Sequence, residues 1–208
     1  MSAPAALTSY DPILDAQKHY RTLLECTARP GTIGQLDDVA LDIPPQLNRA
    51  AAFLALTLLS ADTSFYLATL GQEGAVEFLH RETLARPAAA DEADFLFLAN
   101  PARLEDIGCA RTGTLTFPEQ GATVVLQVEG LSPAPMPGAL RLILAGPGIE
   151  TQTIVSVSGA PEAVFEAVQK RNAEFPLGID TYLTCDSLSA GPCVLALPRT
   201  TRVTWERV

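Results

Sequence analysis

The sequence predicts an α/β fold in which a mixed sheet is covered by helices, on three observations. Two short apolar runs, residues 65–70 and 94–99, are close to continuous rather than alternating, the pattern of strands buried on both faces. Segments of helical length, residues 11–27, 46–60 and 74–84, are interleaved with them. In the last third, the stretch Phe175-Pro176-Leu177-Gly178-Ile179-Asp180-Thr181-Tyr182-Leu183-Thr184-Cys185 is followed, after a Ser-, Gly- and Pro-containing loop, by Val194-Leu195-Ala196-Leu197-Pro198-Arg199-Thr200-Thr201. These two read as neighbouring strands whose polar ends open to a cleft or a partner.

Taken in order, Asp11-Pro12 is a helix start, with Asp as the capping residue and Pro at the first helical position. Ile13, Ala16, Tyr20, Leu23, Leu24 and Thr27 then share one face, with Arg21 and Glu25 spaced to pair on the flank. Arg29-Pro30-Gly31 ends that helix, and residues 31–45 read as loop with a short strand near 39–41. The second helix, 46–60, is apolar nearly all round and is expected to be buried on most sides. A strand at 65–70 closes at Gly71, a helix spans 74–84, and the strand at 94–99 leads to a short helix at 101–107. Turns at Thr112-Gly113-Thr114 and 118–121 precede a strand at 123–128. Residues 130–139 form an exposed loop before a strand at 140–144. Gly146-Pro147-Gly148-Ile149 is a turn, with residues 153–157 pairing beside that strand. A helix at 161–174, capped by Ser158 or Gly159, turns Val164, Phe165 and Val168 inward.

At 208 residues the chain suits a single domain, 1–208, burying roughly 70% of its unfolded surface. A 48% hydrophobic composition and a mean hydropathy of +0.19 fit either an Ala- and Leu-rich globule or a chain with apolar surface covered by another. The formal charge of −10 gives no field to attract nucleic acid or an anionic membrane. Of fourteen basic residues only Lys18 and Lys170 are lysine. The first ten residues lack the basic region and apolar core of a signal peptide. Together with four cysteines outside any CxxC, this predicts the reducing cytoplasm and free thiols at Cys26, Cys109, Cys185 and Cys193. The longest apolar run, 50–59, falls well short of the roughly 20 residues of a membrane span.

Catalytic chemistry finds little footing. There is no phosphate-cradling Gly-x-x-x-x-Gly-Lys loop, Gly146-Pro147-Gly148 lacks a third glycine, and no Cys/His cluster has metal-ligand spacing. A nucleophile would be Cys185 with His19 or His80 as base, though nothing in the sequence brings either to it. Asp180 and Asp186 read as turn or capping residues rather than a carboxylate pair. Pro198-Arg199-Thr200-Thr201-Arg202 is more suggestive: Arg199 offers a fork of donors and Thr200 and Thr201 two hydroxyls, a set that holds an anion or a partner's backbone. The same residues also read as a surface ion pair beside strand-forming threonines.

The stretches 175–180, Leu183-Thr184-Cys185 and 195–201 resemble the signature of the PhnH family, a subunit of the carbon–phosphorus lyase core complex of phosphonate breakdown. Tyr20-Arg21 with Leu23-Leu24, Pro30-Gly31, Thr112-Gly113-Thr114, Pro118-Glu119, Gly121-Ala122-Thr123 and Gly146-Pro147-Gly148-Ile149 are similar to other parts of it. The sequence departs at Cys26-Thr27 and at Asp186, where that family often has Gly. The resemblance implies a three-layer α/β/α fold with a mixed sheet, similar to the large domain of PLP-dependent transferases but without PLP. Neither Lys18 nor Lys170 sits where a Schiff base would form. It also implies a structural and assembly subunit in a two-fold complex acting on ribosyl phosphonates, with the other lyase core subunits as partners. A homodimer stays open. No cofactor, metal or catalytic residue is expected, and Arg199, Thr200 and Thr201 are the candidate partner or anion contact. The alternative is a stand-alone enzyme using Cys185.

Overall fold

Asp11 organises the turn that leads into the first helix, which starts at Leu14 rather than at Pro12: its Oδ1 accepts from the Ile13 and Leu14 amides at 2.8 and 2.9 Å, while its own amide donates to Asp15 at 2.9 Å. A computed structural model of the chain describes residues 10–68, 71, 73–99, 104–187 and 189–207. The expected strand end at 69–70, helix start at 101–103 and N-terminal stretch 1–9 lie outside the described residues.

The helices are α1 (Leu14–Ala28), α2 (Arg49–Leu58), α3 (Glu73–Thr83), α4 (Leu104–Cys109) and α5 (Glu162–Arg171). The strands are β1 (Ile33–Gln35), β2 (Ser64–Ala68), β3 (Arg86–Pro87), β4 (Phe95–Leu98), β5 (Thr123–Gln127), β6 (Gly130–Ser132), β7 (Leu140–Ala145), β8 (Thr153–Ser158), β9 (Asp180–Ser187), β10 (Gly191–Leu197) and β11 (Arg202–Arg207). A seven-stranded mixed sheet runs β1-β10-β9-β5-β4-β2-β3. Strands β3, β2, β4, β5 and β9 are mutually parallel, and the hairpin partner β10 and then β1 add on antiparallel. The apolar runs at β2 and β4 are central and buried on both sides, which is why they read as continuous.

On one face Leu67, Phe97, Val125, Val194 and Ala196 share a core with residues of α1, α2 and α3. Ala50 to Ala55 of α2 are all fully buried, as the all-apolar pattern predicts, and Asn48 caps that helix by accepting from the Ala51 amide at 2.7 Å. On the other face Leu96, Leu98, Val124, Leu126, Leu183 and Leu195 pack with Ile107 of α4 and with Val164, Phe165 and Val168 of α5. Leu142, Leu144, Val155 and Val157, from a second, antiparallel sheet, join the same core. That second sheet runs β11-β7-β8-β6. Three of its strands lie between β5 and β9 in the chain, and the last residues return as β11 to complete it.

Several expectations need correction. No strand forms at 39–41; that segment is held instead by Arg49, which bonds the Leu41 carbonyl at 3.3 Å and the Val39 carbonyl. The short strand is β1, where Gly34 sits so close under Cys26 and Thr22 that a side chain there would collide with both. Helix α1 buries His19, Leu23 and Cys26, so Ile13, Tyr20 and Leu24 are 76%, 52% and 56% exposed rather than inward. His19 is drawn in because its ring lies between Tyr10 and Phe53, at centroid distances of 5.6 and 5.0 Å. Part of the expected loop 130–139 pairs as β6, the cap of α5 uses no side chain, and β10 ends at Leu197 rather than at Thr201.

Candidate functional site

Separated segments of the sequence converge on Arg199. Strand β9 starts at Asp180, and the hairpin register sets Thr181 opposite Leu197, so Asp180 falls beside the turn that begins at Pro198. The Arg199 amide donates to Asp180 Oδ1 at 2.8 Å, its Nη2 to Oδ2 at 2.6 Å and its Nε to Oδ1 at 3.3 Å. Its Nη1 donates to the Pro118 carbonyl at 2.6 Å, reaching the short 3₁₀ turn Pro118–Gln120. The guanidinium is thus engaged on two sides by its own chain, with 13% of the side chain exposed.

The neighbouring segments are built around this latch. A Cβ at Gly121 would collide with the Gly178 carbonyl and lie 2.8 Å from Arg199 Nη1, so only glycine lets the two loops and the guanidinium meet. Gly178 has φ +149° and donates to the Thr112 carbonyl at 3.0 Å. Asn172, at the end of α5, clamps Ile179 through both halves of its amide, at 2.7 and 3.1 Å. The latch holds together loops whose tips carry three large apolar side chains, Leu115, Phe117 and Phe175, at 78%, 50% and 70% exposure.

Thr200 and Thr201 stand beside Arg199 at a cleft of about 390 Å³ between α5 and the start of β11. Its walls are mainly apolar, from Phe165, Val168, Leu197 and Val203. Thr201 is 8% exposed and its amide closes the turn onto the Pro198 carbonyl at 2.8 Å. Its hydroxyl is buried and has no hydrogen-bond partner among the described residues. The three residues singled out in the sequence are therefore together, but Arg199 faces inward as a brace while the threonines line the cavity.

Cys185 is elsewhere, in surroundings that disfavour a nucleophile. It is 1% exposed between the two sheets, directly across the β9–β10 ladder from Cys193, and burial pushes its thiol up to about 12. The residues expected to act as its base are committed. His19 Nε2 bonds the Asp37 carbonyl at 3.0 Å, with desolvation holding its pKa below the ordinary histidine value, and His80 Nδ1 bonds the Ala85 carbonyl at 2.8 Å.

In open α/β sheets ligands gather at the carboxyl ends of the parallel strands. Here that end is saturated where the structure describes it. Asn48 donates to Gln127 Oε1 at 2.5 Å and to the Thr184 carbonyl at 2.9 Å, and Gln127 donates to the Gln46 carbonyl at 3.0 Å. The N-terminus of α2, a natural seat for an anion, is filled by the Asp186 carboxylate, which accepts from the Arg49 and Ala50 amides at 2.8 and 3.1 Å. The capping role read for Asp186 holds, although which helix it caps was not legible. Among the described residues no group of three His, Cys, Asp or Glu side chains is placed to hold a metal, and no helix is long and apolar enough to cross a membrane.

Comparison with known proteins gives this arrangement a context. Residues 8–204 match the family model described as bacterial phosphonate metabolism protein (PhnH). The alpha-D-ribose 1-methylphosphonate 5-triphosphate synthase subunit PhnH of Rhizobium meliloti (strain 1021) is 34% identical over 195 residues, covering 93% of this chain and 92% of its own. The putative C-P lyase subunit protein HtxG of Stutzerimonas stutzeri is 34% identical over 187 residues, covering 90% and 85%.

Proposed function

Since the chain belongs to the PhnH family of bacterial phosphonate metabolism proteins, we propose that it is a structural and assembly subunit of the carbon–phosphorus lyase core complex. It acts there with the other core subunits on ribosyl phosphonates, in the cytoplasm, and does no catalysis by itself. The observation that carries this reading is the Arg199 latch. Arg199 and Asp180 of the signature are spent on each other, and what they produce is a braced face with exposed apolar tips and a cleft. The Rhizobium relative is named as a subunit of the synthase of alpha-D-ribose 1-methylphosphonate 5-triphosphate, which is the class of intermediate we assign to this chain's complex.

We extend the reading to the fold. The seven-stranded sheet and its helices correspond to the three-layer large domain of PLP-dependent transferases, carried as one domain over 1–208 and without the cofactor. Lys18 supports this, since it lies on the solvent side of α1, 3.3 Å from Asp37 and 3.8 Å from Asp15. Lys170 is in the exposed last turn of α5. Growth on a phosphonate as sole phosphorus source tests the role. Deleting the gene is expected to abolish it, and both the native chain and Cys185→Ala are expected to restore it. Failure of Cys185→Ala in a strain where the variant accumulates folded would favour chemistry at that thiol.

For pairing with itself, the surface we assign is the outer stripe of α1, Ile13, Tyr20 and Leu24. Asp11 lies at its N-terminal end and Arg21 towards its C-terminal end, so an antiparallel two-fold crossing sets this acid against this arginine. Light scattering of the isolated chain is expected to give a dimer, and Leu24→Glu a monomer with unchanged circular dichroism. A native chain that is monomeric at high micromolar concentration would remove the dimer from the account.

A further inference from the structure

The cleft between α5 and β11 combines three features that together suit a bound segment. Its walls are apolar, the Thr201 hydroxyl at its edge is buried without a partner, and Arg202 on its rim is exposed and makes no ion pair among the described residues. Elsewhere the arginines mostly find acids: Arg29, Arg49, Arg81, Arg111, Arg141, Arg199 and Arg207 all form ion pairs. A buried hydroxyl left unpaired carries a desolvation cost that persists unless something supplies its bond.

We propose that this cleft receives a segment of a partner subunit in which a large apolar side chain stands next to an aspartate or glutamate. The apolar side chain fills the space between Phe165, Val168, Leu197 and Val203, and the carboxylate accepts from Arg202 and from the hydroxyls of Thr200 and Thr201. This rests on the assembly reading above and names the contact it requires. A cavity of about 390 Å³ admits one large side chain with room at the mouth for its neighbour. The donor-rich rim selects the charge of the occupant. The chain's net charge of −10 argues against a freely diffusing anion, since a single guanidinium does not overcome that field. A carboxylate delivered as part of a larger interface arrives at an effective concentration in the millimolar range.

The test places a photo-crosslinking residue at Thr204, which lines the cleft and is exposed, in the tagged full-length chain produced in its own host on a phosphonate. The expected product is one partner peptide that contains Asp or Glu beside a large apolar residue. Thr201→Val and Arg202→Glu are then compared with the native chain for stoichiometric recovery of that same partner. Thr201→Val is expected to weaken retention about fivefold while leaving the melting temperature of the isolated chain equal or higher, because an unpaired buried hydroxyl is gone. Arg202→Glu is expected to weaken it about tenfold or more. Crosslinks to a second copy of the chain, to a basic segment, or to nothing while the partners still co-purify would overturn this docking assignment and leave the assembly reading standing. Absence of any stoichiometric partner for the native chain would overturn both.

Discussion

Replacing Arg199 with alanine is expected to destabilise the chain by about 3 kcal/mol, the low end for removing one member of a buried, hydrogen-bonded ion pair. The low end applies because the Asp180 side chain keeps 37% of its exposure and can turn to water, whereas Arg199 keeps 13%. The loss has two parts. Asp180 is left with only the backbone amide donor from the turn, and the Pro118 carbonyl loses its Nη1 partner, so the 3₁₀ turn at 118–120 loses its side-chain tie to the hairpin. Lysine should recover only part of it, because an ammonium cannot donate to Asp180 and Pro118 with the geometry of the planar fork. Urea unfolding measures this directly. A change below about 1 kcal/mol would mean that the pair behaves as an ordinary surface salt bridge.

The second large effect concerns the union of the two sheets. Phe165 is 1% exposed and its ring centroid lies 6.0 Å from that of Trp205, so it fixes α5 against β11 from within the core. Phe165→Ala leaves a cavity that the flanking strands cannot close without breaking register. A loss of about 3–4 kcal/mol is expected, read as a melting temperature lower by about 10 °C. A loss under about 1 kcal/mol would show that α5 holds the second sheet by its polar contacts alone, among them Gln169 to the Val203 carbonyl and Arg207 to Glu162.

These two positions also mark how far the sequence could be read. Phe165 was legible as inward-facing because helical spacing placed it with Val164 and Val168 on the buried side of α5. The central strands were legible because burial on both faces leaves a continuous apolar run. What α5 faces was not, since periodicity says which side is inside and nothing about which element covers it. The same limit hid the inner face of α1. Its apolar residues fall on two sides, and the choice is made by Tyr10, Phe53 and the close approach of Gly34 to Cys26. Strand β11 did carry a signal, the alternation in Arg202-Val203-Thr204-Trp205-Glu206-Arg207, but reading Pro198 to Arg202 as a contact segment obscured it. At the site, Arg199, Thr200 and Thr201 were found as residue types, while the partner of Arg199 was not named. Extending the β9–β10 pairing by one residue beyond Thr181 and Leu197 reaches Asp180, so the register held that information.

Assembly of this chain with the other lyase subunits can be measured in the cell. Its most direct test is to tag the chain in its own host, grow the cells on a phosphonate as sole phosphorus source, and quantify what co-purifies. The other carbon–phosphorus lyase core subunits are expected in fixed stoichiometry with the chain. Recovery of the chain alone, with a turnover of its own on a phosphonate substrate, would contradict it.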